Sequence, residues 1–210
     1  MDTIRRRARK QLPSVLLTLL SIVQALALEL LWSYVREADY MFSLSAESVL
    51  TWMQVAANFL GIIVIWIVYA GTVMRFRWLP TTSDSVYPFV VGGLEFVLIE
   101  TLAPPYLGLW CLCYALVYAL MTWVTHHQMR RARRDGGNDE FFAHVEPATL
   151  KDFLPAIVIV SIGALSGTYL HLSGARDAMA FVIVSAFLVV LLRQLALTAR
   201  FWELSFRDRE

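Results

Sequence analysis

Six long apolar runs divide the chain, at about 12–35, 47–73, 85–104, 105–125, 154–173 and 178–199. None alternates polar and apolar residues with a period of two, so a strand-built barrel is not expected. Each run covers roughly 20 residues or more, and a helix of that length crosses a bilayer core about 30 Å thick. The pattern predicts an all-α integral membrane protein with six transmembrane helices, residues 1–210 forming a single membrane domain.

The spacing between runs predicts how they pair. The connections at 36–46, at Pro104-Pro105 and at 174–177 are short, which makes the chain three consecutive helical hairpins. The longest connection, 126–153, contains Asp135-Gly136-Gly137-Asn138-Asp139, a cluster of turn formers that predicts a mobile or only locally folded loop. Leu12-Pro13 and Leu154-Pro155 open the first and fifth runs alike, so an internal repeat is conceivable, although few other positions agree. Three two-helix units resemble the topology of the mitochondrial carriers. The Pro–acidic–basic signature of that family at the odd-helix ends is absent, and the likeness stops there.

Charge then orients the bundle. Fifteen of the 18 basic residues fall on one side of six spans: Arg5 to Lys10, Arg75, Arg77, Arg130 to Arg134, Lys151, Arg200, Arg207 and Arg209. Arg36 and Arg176 fall on the other side, and Arg193 lies within a span. The positive-inside rule puts both termini and the 126–153 loop in the cytoplasm (N-in/C-in), as in a bacterial inner (plasma) membrane protein. The start of the chain also resembles a secretory signal peptide, with Arg5 to Lys10, an apolar stretch and Ala25-Leu26-Ala27. The apolar run continues to Val35, which predicts a retained first helix. Trp32, Tyr34, Trp78, Trp123 and Trp202 near span ends fit an interfacial belt.

Composition narrows the function. Hydrophobic residues make up 58% of the chain and charged residues 17%, mean hydropathy is +0.59 and net charge is +1. These values exclude a disordered chain, a coiled coil and a nucleic-acid binder. Cys111 and Cys113 read as small packing residues, since a C-x-C pair closes no easy disulfide and two thiols make no closed zinc site. No cofactor or metal is expected.

The informative residues are the polar ones inside the runs, because a charge there costs at least about 2.5–3.5 kcal/mol unless it faces protein or water. They are Glu29, Glu95, Glu100, His171 and Arg193, with Gln24, Gln54 and Asn58. Position along each run puts Glu29, Glu100, His171 and Gln54 in the outer half. Glu95, Asn58 and Gln24 fall near the middle and Arg193 in the inner third. Helical phase aligns Ser14, Thr18, Ser21, Ala25 and Glu29 in one stripe, which predicts close packing or a polar cleft. Gln24 lies off it. The same phase aligns Pro88, Gly92 and Glu95, pairs Gln54 with Asn58, and puts Gly163, Gly167 and His171 on one face with a G-x-x-x-G step. The picture is an acidic outer vestibule, a mid-membrane carboxylate at Glu95 with a pathway, proton or ion-pair role, and an inner cation at Arg193.

Catalytic patterns are weak. His126-His127 lacks the Glu of H-E-x-x-H, and no base accompanies Ser166 in Gly163–Gly167. Arg130 to Arg134 reads as a topology determinant or a contact to anionic lipid. The expected function is a small channel or carrier passing a proton, cation or small solute, through Glu95, Glu29, Glu100, His171, Asn58, Gln54 and Arg193. The alternative is a non-catalytic membrane subunit that pairs with a partner membrane protein, and an intramembrane enzyme stands third. The expected partners are the lipid bilayer and either further copies of the chain or another membrane protein.

Overall fold

The computed structural model describes residues 2–77, 81–143, 145–174 and 178–207, and within these it leaves undescribed the side chains of 2–10, 82, 201 and 204–207. Trp78, Arg176, Arg209 and the side chains of Arg5 to Lys10 and Arg207 therefore lie outside the described residues. The chain forms α1 (Asp2–Glu37), α2 (Ala46–Arg75), α3 (Thr82–Glu100), α4 (Leu107–Ala132), α5 (Asp139–Phe142), α6 (Leu150–Ser173) and α7 (Ala178–Arg207). Three single turns of tighter helix join them, and no strand occurs among the described residues.

Five helices are long and apolar enough to cross a membrane: Gln11–Glu37, Ala46–Arg75, Pro104–Ala132, Leu150–Ser173 and Ala178–Arg200. The expectation of six is met by length and composition only in part. α3 has 19 residues and carries Asp84, Glu95 and Glu100, which leaves it short of the others. Residues such as Ile22, Leu26, Phe59, Trp66, Phe89, Leu116, Leu165 and Val189 are exposed. An outer surface of that kind suits lipid rather than water.

Each helix buries one face. On α7 the buried residues are Ala180, Ile183, Val184, Phe187 and Leu191, the three-and-four spacing of a helical stripe, and they pack on α2. α1 packs on α2 and α3, and α3 on α4. α6 lies against α4 through Gly163 and Gly167. A Cβ on Gly167 would stand 2.9 Å from the Gly108 carbonyl oxygen and the Leu112 nitrogen, so only glycine lets the two backbones approach this closely. α6 and α7, neighbours in sequence, barely touch and take α4 and α2 as their main partners. The first two expected pairs, α1 with α2 and α3 with α4, are in contact, whereas α6 and α7 do not close on each other and further contacts cross between the pairs.

Helix ends differ from the sequence reading in two places. α1 is helical from Asp2, so Pro13 sits inside it and does not open it. α4 runs on to Ala132, and α6 begins at Leu150 with a capping box of Thr149 and Asp152. What remains of the expected loop is folded around Asn138. Its amide donates to the carbonyls of Arg77 (2.6 Å) and Ala132 (2.7 Å) and accepts from the Arg77 N–H (2.9 Å). Phe76, Phe141 and Phe142 pack beside it over Ala132 in a second small core.

The same end is tied by an ion pair the sequence did not announce. Asp84 is fully buried in the first turn of α3 and pairs with Arg131 at the end of α4. Arg131 also donates to Thr81 (2.8 Å), whose own backbone N–H bonds the Asp84 carboxylate. Removing one partner strands the other charge, so Asp84→Ala should cost about 3 kcal/mol, near the low end for a buried pair because Arg131 keeps some water. Unfolding in detergent micelles measures this, and a loss close to zero would mean the pair is solvated.

Candidate functional site

Between the loop-bearing ends of α6 and α7 lies a cavity of about 810 Å³, floored by α2 and α4 and reaching Glu95 on α3. Its existence follows from the packing. α4 and α7 are held to their partners near the opposite end, by Gly163 and Gly167 on one side and by Val184 and Phe187 on the other, and α6 and α7 make few contacts with each other. Along α4 the lining runs from Arg130 to Tyr114, about 24 Å of helical rise. That is most of the thickness of a bilayer core. The walls are apolar, with Ile62, Ile65, Val68, Val117, Met121, Ile159 and Val190.

The closed end is an aromatic plug. Trp110 has no exposed surface and lies 5.5 Å from Tyr114 and 5.8 Å from Phe187, while Tyr114 and Phe187 stack at 4.4 Å. Trp110 Nε1–H donates to Asn58 Oδ1 (3.1 Å), which ties α4 to α2 at the same level. A Cβ on Gly163 would touch the Phe187 ring at 3.4 Å, so α6 closes the fourth side. Beyond the plug, the turn at Asp39–Phe42 is pinned by Trp52 Nε1–H donating to the Met41 carbonyl (2.9 Å).

Glu95 lines the cavity near this plug and is 4% exposed. Its Oε2 accepts from Gln24 Nε2 (2.8 Å), while its Oε1 is buried without a hydrogen-bond partner. Gly92, one turn away on α3, packs directly on Val23 of α1, which brings the two helices close enough for the glutamine to reach. A second group of buried polar atoms stands unpaired nearby: Asn58 Nδ2 and the Tyr114 hydroxyl, both on residues that line the cavity.

The other candidates fall in three places. Asn58 joins Glu95 at the cavity, and Arg193 lines its mouth, exposed. Gln54 is buried one turn from Asn58 but does not line the cavity. Glu29, Glu100 and His171 are exposed and line no part of it. Glu29 lies 4.0 Å from Arg36 at the surface. The ion pair of Glu95 with Arg193 is not formed, and the carboxylate is bonded by Gln24 instead.

The polar stripe on α1 points the other way. Ser14, Thr18, Ala25 and Glu29 are exposed, and the buried face carries Leu16, Leu20, Val23, Gln24 and Ala27. The hydroxyls of Ser14, Thr18 and Ser21 bond to carbonyls of their own helix, so they need no polar cleft. Trp110 and Tyr114 were not singled out by the sequence reading. Two aromatics one turn apart near the start of an apolar run, Trp110 and Tyr114, were the signal.

Breaking the Gln24–Glu95 bond tests this arrangement. Gln24→Leu and Glu95→Leu should each destabilise the bundle, and the double variant should show a coupling of about 1.5–3 kcal/mol, the range for a hydrogen bond to a charged group. Additive losses in a double-mutant cycle would mean the two side chains do not meet. Comparison with protein-family models, curated proteins and solved structures returns no match for this chain.

Proposed function

We propose that the protein is a small membrane carrier that moves a proton or cation, or a small solute with it, and that Glu95 is the group that binds the ion. One observation carries this reading. A cavity that runs from the loop-bearing end to the level of Tyr114 has Glu95 in its lining, and one oxygen of that carboxylate is buried without a partner. A buried acceptor without a donor is costly, and a proton or small cation would supply the missing partner. One-sided access to a site near the middle of the bundle is the form alternating-access carriers take in one of their states.

In this reading α3 is a sixth crossing. Two of its three carboxylates have partners inside the bundle, Asp84 in Arg131 and one oxygen of Glu95 in Gln24, so composition understates its fitness to span. Both termini and the cavity mouth face the cytoplasm of a plasma membrane, on the strength of the basic residues at that end. The alternative of a scaffold subunit accounts less well for the cavity, because a scaffold gains from having its polar groups paired with one another. An enzyme accounts less well for its occupants, with His126 at the mouth and Glu95 at the inner end.

Glu95→Gln keeps an acceptor for Gln24 and removes the charge. It should fold with nearly unchanged thermal stability and lose at least about tenfold of the proton or cation flux into liposomes, an effect of about 1.4 kcal/mol or more. Flux equal to that of the unmodified protein would remove Glu95 from the pathway and the carrier reading with it. Orientation is read separately. Asp139→Cys should react with an impermeant thiol reagent only in inside-out vesicles, and labelling only from the outer face would invert the topology.

A further inference from the structure

The mouth of the cavity has a charge pattern that a proton does not need. Arg130, Arg133 and Arg193 line it, with His126, Glu146 and Asp152. Three of these are engaged locally. Arg133 donates to the carbonyls of Val145 (2.8 Å) and Glu146 (3.0 Å) and lies 4.5 Å over the Phe142 ring. Asp152 accepts from the backbone N–H (2.7 Å) and hydroxyl (2.9 Å) of Thr149 in the α6 cap. His126 packs edge-on against Phe153 at 4.7 Å. Arg130 and Arg193 are different: neither makes a hydrogen bond or ion pair with another described residue. Two unpaired guanidiniums thus stand on facing walls, one on α4 and one on α7, at the entrance to an apolar trough.

We propose that this cleft binds an amphipathic anion drawn from the membrane, a phosphate-bearing lipid whose headgroup is held by Arg130 and Arg193. Its chain lies along Val68, Met121, Ile159 and Val190. Three features select that chemistry. Guanidinium forks bind phosphate oxygens in pairs. The trough beyond them is apolar for several helical turns. The near absence of contact between α6 and α7 leaves a lateral gap facing the acyl chains, so the ligand enters from the bilayer without crossing water. A volume of about 810 Å³ lies in the range of single-ligand sites. The site rests on the cavity alone. Naming this lipid as cargo, with Glu95 as the proton site coupled to it, rests on the carrier reading above.

The test uses the purified full chain in detergent with three probes. They are oleoyl lysophosphatidic acid, monoolein with the same chain and no phosphate, and inorganic phosphate. Native mass spectrometry and thermal shift read binding. The lysolipid should bind one to one and raise the melting temperature, and each of the other two should bind at least about tenfold more weakly. Arg130→Gln with Arg193→Gln should lower lysolipid affinity at least about tenfold while leaving the melting temperature without ligand unchanged. Ala156→Phe, which fills the trough, should lower affinity with both arginines intact. Equal binding of monoolein would make the cleft a plain apolar groove, and equal binding of inorganic phosphate would make it a site for soluble anions. Undiminished lysolipid binding in the double arginine variant would remove the headgroup assignment. Each of these three results overturns the proposal. Binding without flux would leave the site in place and overturn only the carrier, whereas flux with no lysolipid binding would do the reverse.

Discussion

A carboxylate carried into a bundle of apolar helices must find a donor, and the bond between Gln24 and Glu95 meets that need here. Much of the arrangement follows from it. Gln24 must face α3, which fixes the rotation of α1 and turns Leu16, Leu20, Val23 and Ala27 inward with it. Gly92 must be small so that α1 and α3 come close enough for the bond. The polar edge of α1 is then left outside, where its hydroxyls are satisfied by the helix itself. The second carboxylate oxygen remains buried without a partner, on a residue that lines the cavity.

Two kinds of helix contact divide the molecule along its length. Toward the plugged end the contacts are close, through glycines between α4 and α6 and through stacked rings between α4 and α7. Toward the other end α6 and α7 stand apart, and order is kept instead by polar ties between α3, α4 and the Asn138 turn. Small residues permit tight backbone packing without a hydrophobic driving force between helices, which is the usual situation in lipid. The cleft is where neither device operates.

The sequence made the long helices legible because a membrane-crossing run is a strong one-dimensional signal. Boundaries were weaker. Pro13 suggested a helix start, yet a proline can lie inside a helix when the freed carbonyl is satisfied elsewhere. α3 reads as an apolar run only when its acids are ignored, and their partners are 47 residues away for Asp84 and 71 for Glu95, beyond any local pattern. Arg131 read as one of a run of basic residues setting topology, and nothing nearby marks it as the member that pairs with a buried carboxylate. Glu95 was found because a central carboxylate is conspicuous. Glu29, Glu100 and His171 were grouped by depth, a coordinate that says nothing about which way a side chain faces. The stripe on α1 misled for a related reason: serine and threonine can satisfy themselves on a helix, whereas glutamine cannot, so the single Gln24 outweighed the row of hydroxyls.

The central claim is that water reaches deep into the bundle from the loop-bearing end and stops at the aromatic plug. Gly61 offers the direct probe, since it lines the cavity and a Cβ added there meets no atom within 4 Å. In a chain with Cys113 replaced by serine, and Cys111 left buried, Gly61→Cys should react with a small charged thiol reagent applied to the side of the 133–149 connection. It should resist the same reagent from the opposite side. Reaction from the opposite side alone, or from neither, would contradict the account.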